Sequence, residues 1–243
     1  MKSFRQIVAW LYLLTAASVT CAAASQPAQT VNLPPSADLS YTVSAQYNGL
    51  SVNGNSSIQW KANKQSYTIR TETRLGLLGK MLEAESTGQI GSTGLMPEKY
   101  VEKRLRKASM TTTFNRIEKT VAYPSGNIAK MKDMEQDRAS IVWQLVSVAR
   151  ANPDKFVMNS DWTFNVAGSS KTEPWVFRVV KIGELSTPMG QIKTVQLTRT
   201  DSRDRQQNSV WLAPDYNWYP VQILLVEKNG TQIKQTIKKI TPI

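Results

Sequence analysis

The chain contains no histidine and a single cysteine, Cys21, in 243 residues. Without histidine the commonest general base is missing, and with it the Ser-His-Asp and Cys-His arrangements of nucleophilic catalysis. Zinc sites built on histidine and cysteine are excluded on the same ground. Neither standard glycine-rich phosphate loop occurs in the sequence. No catalytic residue, cofactor or metal is therefore expected. Internal repeats and low-complexity tracts are absent as well. The longest apolar run falls far short of the roughly 20 residues that a membrane-spanning helix needs.

What is present begins with an export pattern. Lys2 and Arg5 give a positive start, residues 7–14 are apolar, and Ala22-Ala23-Ala24 supplies small residues for cleavage. Residues 1–24 thus read as a secretory signal peptide, and the mature protein as periplasmic, with no transmembrane span after cleavage. An uncleaved anchor is the competing reading. Lipidation at Cys21 fits poorly, because Thr20 precedes it, with Ser18 and Val19 before that. Cleavage beyond Cys21 leaves no cysteine, so no disulfide can form. The formal net charge is +12, and about +10 once Lys2 and Arg5 are removed. Export takes nucleic acid out of consideration as the partner of this charge. Phospholipid head groups and anionic envelope polymers remain, beside the plainer reading of a dispersed, solubilising charge.

Residues 25–36 are polar, contain Pro27, Pro34 and Pro35, and read as a flexible lead-in. A single β-rich domain over residues 37–243 follows. Tyr41, Val43, Ala45 and Tyr47 alternate with polar residues before an Asn48-Gly49 turn, as half-buried strands do. Trp162, Phe164 and Val166 alternate likewise, as do Trp175, Phe177 and Val179. One segment changes period: Ile141, Val142, Leu145, Val148 and Ala149 recur at helical spacing. Asp137 stands where an N-cap is needed, Ser140 can close that cap reciprocally, and Asn152-Pro153 ends the helix, which is placed at residues 138–151. The expected fold is mainly β: a strongly curved antiparallel sheet or open barrel of about ten to eleven strands, with one long helix packed in its concave side.

Candidate binding residues come from patches rather than motifs. Met131 and Met134 flank the helix start; with Ile141, Leu145 and Val148 they are the expected lining of a pocket for a lipid or amphipathic ligand. Plain core is the alternative. Lys99, Lys103, Arg104, Arg106 and Lys107 form the densest basic stretch, diluted by Glu98 and Glu102. They are candidate anion-binding residues for an envelope polymer, or an exposed strand face that guards a sheet edge. Lys228, Lys234, Lys238 and Lys239 make a looser group. Glu83 and Glu85 share a strand face, as a glycosidase pair or as solvated residues. Asp133, Glu135 and Asp137 lack the ligand spacing of a calcium loop and suit the positive end of the helix.

Three stretches carry a resemblance. They are Gly94-Leu95-Met96-Pro97 with Tyr100; Asp137 with Ser140; and Trp211-Leu212-Ala213-Pro214-Asp215 followed by Tyr219-Pro220-Val221. With the signal peptide and the opening strand at residues 39–47, their order resembles the bacterial domain-of-unknown-function family numbered 3108 over nearly the whole mature chain. Tyr219, where a leucine is expected, is a small departure. The resemblance implies an exported, sheet-rich protein similar in architecture to periplasmic lipoprotein carriers, and it supplies no catalytic residues. Locally, Gly94 and Pro97 shape a loop, Pro214-Asp215 a turn, and Pro220 a strand start. The expected function is a non-catalytic periplasmic binding or carrier protein for an apolar or amphipathic envelope ligand. The alternatives are an envelope scaffold with a solid core and a carboxylate-based glycan-active enzyme. A void beneath the helix separates the first from the second.

Overall fold

Alternating strands joined by short turns fold back on one another, hairpin after hairpin. A computed structural model describes residues 30–47, 50–201, 207–226 and 230–243. Among them, the first run of strands is β1 (Ala37–Tyr47), β2 (Leu50–Ala62), β3 (Ser66–Leu75), β4 (Gly79–Gly91), β5 (Gly94–Arg104), β6 (Met110–Asn115), β7 (Thr120–Ala122) and β8 (Ile128–Lys130). The helix α1 (Ser140–Ala151) follows. The second run is β9 (Asp161–Ala167), β10 (Thr172–Thr187), β11 (Gly190–Arg199), β12 (Gln207–Ala213), β13 (Tyr219–Val226) and β14 (Gln232–Pro242).

All belong to one sheet, ordered β8-β7-β6-β5-β4-β3-β2-β1-β14-β13-β12-β11-β10-β9. Every neighbouring pair is antiparallel. The chain therefore starts in mid-sheet, winds out to the β8 edge, crosses through α1 to the β9 edge, and winds back until β14 pairs with β1. Among the described residues no ladder joins β8 to β9, so the sheet is not closed into a barrel. The segment before the helix lies along this seam instead. The Gln136 N–H donates to the Asn165 carbonyl, and the Ala167 N–H to the Gln136 carbonyl, both at 2.8 Å. The Glu135 carboxylate accepts the Lys132 N–H at 2.8 Å and the Thr172 hydroxyl. An edge strand met in this way offers little backbone to a stray chain.

Among the described residues the sheet is wider than expected, with fourteen strands rather than ten or eleven, and the mainly-β class stands. β7 and β8 have three residues each, too few to print a period of two, and β8 is exposed throughout. The helix begins two residues later than its expected start. It is also buried nearly all round, Gln144 and Ser147 included, as a core helix is. Ile141, Leu145 and Val148 face one half of the core, with Phe177, Leu197 and Leu212. Trp143 faces the other half, with Trp60, Tyr67 and Ile69.

Residues 30–36 correct the expectation of a flexible lead-in. The Asn32 N–H donates to the Ser147 carbonyl at 2.9 Å. Trp60 Nε1 donates to the Pro34 carbonyl at 3.1 Å, and the Tyr219 hydroxyl to the Pro35 carbonyl at 2.7 Å. Val31 and Leu33 pack on the two halves of the core. Proline carbonyls are intact acceptors for aromatic donors, and that role is invisible in composition. The signal peptide, Cys21, residues 25–29, the Asn48-Gly49 turn, Lys228 and Asn229 lie outside the described residues.

Candidate functional site

The start of α1 is tied down by buried polar groups. Asp137 Oδ1 accepts the N–H groups of Ala139 and Ser140, each at 2.8 Å, and the Ser140 hydroxyl accepts the Asp137 N–H at 2.9 Å. This is a reciprocal cap. Asp137 Oδ2 takes the Ser86 hydroxyl at 2.6 Å, and Ser86 Oγ lies 3.2 Å from the Tyr67 hydroxyl. Burial pushes the Asp137 carboxyl above the usual carboxylate range, and bonds from Ser86, Ser140 and Ala139 offset only part of this. An acid raised in this way stabilises the fold most below its unfolded pKa, and that contribution is lost as pH rises through the folded value. Asp137→Asn keeps an acceptor for both amides and removes the charge. Its urea midpoint relative to wild type is expected to rise with pH from about 4 to 9. Asp137→Ala strips the cap and takes the Asp137 acceptor from Ser86, with a loss of about 2–4 kcal/mol at the acid end of that range that shrinks as pH rises. A flat midpoint difference for the asparagine variant overturns this account of the carboxyl.

The other two stretches singled out in the sequence meet the same helix. Gln144 Oε1 accepts the Leu95 N–H, and Gln144 Nε2 donates to the Thr93 carbonyl, both at 2.8 Å. Gln136 Nε2 donates to the Leu95 carbonyl at 2.8 Å. Gly94, at φ +110, lies so close to Gln144 that a Cβ would collide with its carboxamide. On the other side Tyr219 stands edge-on to Trp143, at 6.2 Å between centroids and 73°. The Tyr41 hydroxyl donates to the Pro220 carbonyl at 2.7 Å, and Arg150 Nη1 to Asn217 Oδ1 at 2.6 Å.

Between helix and sheet lies a cavity of about 260 Å³. Ile141, Val142, Trp143 and Leu145 of α1 form one side. Ile58, Ile69 and Ala84 face them from β2, β3 and β4, and Phe177, Val210 and Ile223 from β10, β12 and β13. Among the described residues, the charged ones in the lining are Glu102, Arg104, Arg138 and Arg199. Glu102 accepts the Tyr100 hydroxyl and Arg104 Nε, both at 2.6 Å, and stands 4.0 Å from Arg138 Nη1. Burial pushes the Glu102 carboxyl up, but the Tyr100 hydroxyl and Arg104 outweigh this and hold it below the usual range. Arg199 grips Asp201 through Nε and Nη2 at 3.0 and 2.9 Å and lies over the Trp175 ring at 4.1 Å. Gln235 also lines the cavity, and its Oε1 is buried with no hydrogen-bond partner.

The family model for proteins of unknown function designated DUF3108 matches residues 40–238, a span that holds all three stretches converging on α1. The chain belongs to the DUF3108 family. Among solved structures, the β-barrel-like protein of domain of unknown function DUF1849 from Brucella abortus aligns over 87% of this chain and 99% of its own, with TM-score 0.56 and 10% identity. That likeness shows the fold alone. A DUF1329 family protein from Desulfovibrio piger aligns over 86% of each chain at TM-score 0.28 and 8% identity. No curated protein matches the chain.

In this DUF3108 chain, Ile141 and Leu145 line the cavity beneath the helix. Val148 lies one turn further along and is buried in solid core. Met131 packs beside Phe114 and Val121 near the seam, and Met134 sits in that segment at φ 52; neither reaches the cavity. The basic stretch does not gather. Lys99 and Lys103 point outward from β5, Arg104 points inward to the cavity, and Arg106 and Lys107 are exposed in the turn beyond. Arg138 and Arg199, which no sequence pattern singled out, join Arg104 there. Glu83 and Glu85 pair with Lys80 and Arg70, outside the cavity lining. Glu135 serves the seam and Asp137 the cap, and among the described residues no group of three His, Cys, Asp or Glu is placed to hold a metal ion.

Proposed function

We propose that this DUF3108 protein is a non-catalytic periplasmic carrier that shelters the apolar part of an amphipathic envelope ligand beneath α1. The observation that carries the reading is the apolar void beside a helix otherwise packed on all sides. Protein interiors pack nearly as densely as organic crystals, and an unfilled cavity costs stability. A void of about 260 Å³ against a core helix is therefore a feature with a use. A pure scaffold has no need of it. Among the described residues the cavity lining holds one carboxylate, Glu102, already engaged by Tyr100 and Arg104, whereas glycoside hydrolysis calls for a converging pair. The export pattern supports a periplasmic location for the carrier, where amphiphiles need shelter from water.

Trp143 and Trp175 line the cavity and report directly on its contents. A bromine-labelled acyl chain is expected to quench their fluorescence saturably. Ala84→Phe, which puts a ring into the void from β4, is expected to weaken that binding at least about tenfold without lowering the urea midpoint. Full quenching by the probe in Ala84→Phe, or no saturable quenching in the wild type, overturns the proposal.

A further inference from the structure

Resting on that carrier reading, we infer that the guest is a single-chain amphiphile with an anionic head and a hydroxyl: Arg138 and Arg199 take the head, and Gln235 takes the hydroxyl. The cavity, at about 260 Å³, is smaller than the roughly 300–1,000 Å³ of sites for drug-sized ligands. It suits one acyl chain and not two. Its apolar walls fix the chain, and its charged lining fixes the sign of the head.

The two arginines are held ready for an anion. Glu102 spends its short bonds on Tyr100 and Arg104, while Arg138 Nη1 stands 4.0 Å away and one-third exposed. Arg199 has its Cζ over the Trp175 ring at 4.1 Å, and the Asp201 carboxylate takes Nε and Nη2, leaving Nη1 out of the pair. A guanidinium fixed by stacking and by a bidentate partner loses little freedom when it meets a carboxylate or phosphate.

Gln235 supplies the independent sign of a ligand. It is 5% exposed, it lines the cavity, and its Oε1 has no hydrogen-bond partner. A buried carbonyl oxygen left unpaired is costly, and native structures satisfy nearly all of them. A ligand hydroxyl entering the cavity supplies the missing donor. The same chemistry occurs in a hydroxylated fatty acid and in a lysophospholipid with a free glycerol hydroxyl.

The test is calorimetric titration of the full mature chain with 3-hydroxydodecanoate, with lauroyl lysophosphatidate and with dodecanol. At least one anion is expected to bind about tenfold or more tightly than dodecanol, and the tighter of the two names the source. Arg138→Gln and Arg199→Gln are each expected to erase most of that preference, bringing the affinity for the anion toward that for dodecanol. Gln235→Leu is expected to weaken the preferred anion about threefold or more. Arg138→Gln keeps the test sound if Arg199→Gln disturbs folding, since Arg138 is the more exposed and the more weakly paired. If dodecanol binds as tightly as both anions, or both arginine variants keep the full preference, the head-group inference is overturned and the carrier reading survives. If none of the three ligands binds, the carrier reading falls with it.

Discussion

Trp143→Ala is expected to lower the unfolding free energy by roughly 3–5 kcal/mol, the range for deleting a large buried aromatic side chain. Trp143 is 1% exposed. Its ring stacks on Trp60 at 4.5 Å and 10° and meets the edge of Tyr219. Such pairs contribute beyond the area they bury. The loss also travels, because Trp60 and Tyr219 hold the Pro34 and Pro35 carbonyls through their own side chains. One truncation on the helix thus loosens the segment at residues 30–36. Trp143→Phe keeps a ring in the stack and is expected to show less than half the loss. Urea unfolding followed by near-ultraviolet circular dichroism measures both. A loss below about 1.5 kcal/mol for the alanine variant means that the stack is not a keystone of the core.

The parts of this fold visible in the sequence are those fixed by neighbours in the chain. Tyr67, Ile69 and Thr71, or Trp162, Phe164 and Val166, announce strands because a half-buried strand alternates. Ile141, Leu145 and Val148 announce a helix by the same kind of local periodicity. Asp137 and Ser140 announce a cap because cap chemistry needs only three residues. The closing move of the sheet is different. β14 pairs with β1 across almost the whole chain, and nothing in either strand names its partner. The candidate site inherits that difficulty. Ile141 and Leu145 reach it from a helix that can be found in the sequence, but Ile58, Phe177, Arg199 and Gln235 arrive from strands that only the wrapped sheet brings together. The basic stretch shows the opposite failure. Lys103 and Arg104 are adjacent in sequence and therefore on opposite faces of β5, so a dense run of charge is divided by the geometry of the strand itself. A patch on a strand is assembled from alternate residues and from neighbouring strands, and a linear window cannot see it.

Gly94→Ala should be nearly as damaging as the loss of Trp143, by way of a single methyl group. Gly94 sits at φ +110, where a side chain is strained whatever surrounds it, and that strain alone is worth about 1–3 kcal/mol. Here the space is also taken, by the Gln144 carboxamide. For the new Cβ to fit, Gln144 must turn away, which leaves the Leu95 N–H and the Thr93 carbonyl without the partners they have at 2.8 Å. Each abandoned group adds about 1 kcal/mol or more, so the expected total is about 3–5 kcal/mol. A second substitution separates the two contributions. In a Gln144→Ala background the collision disappears and the hydrogen bonds are already gone, so Gly94→Ala should cost only its backbone strain there. The double variant is then expected to be more stable than the sum of the single losses predicts, by about 2 kcal/mol. Strict additivity means that the glycine answers to the turn alone. Coupling means that Gly94 is bare because the helix reaches across to hold the β4–β5 loop, and that the side of the cavity formed by α1 is fixed from that loop as firmly as from its own cap.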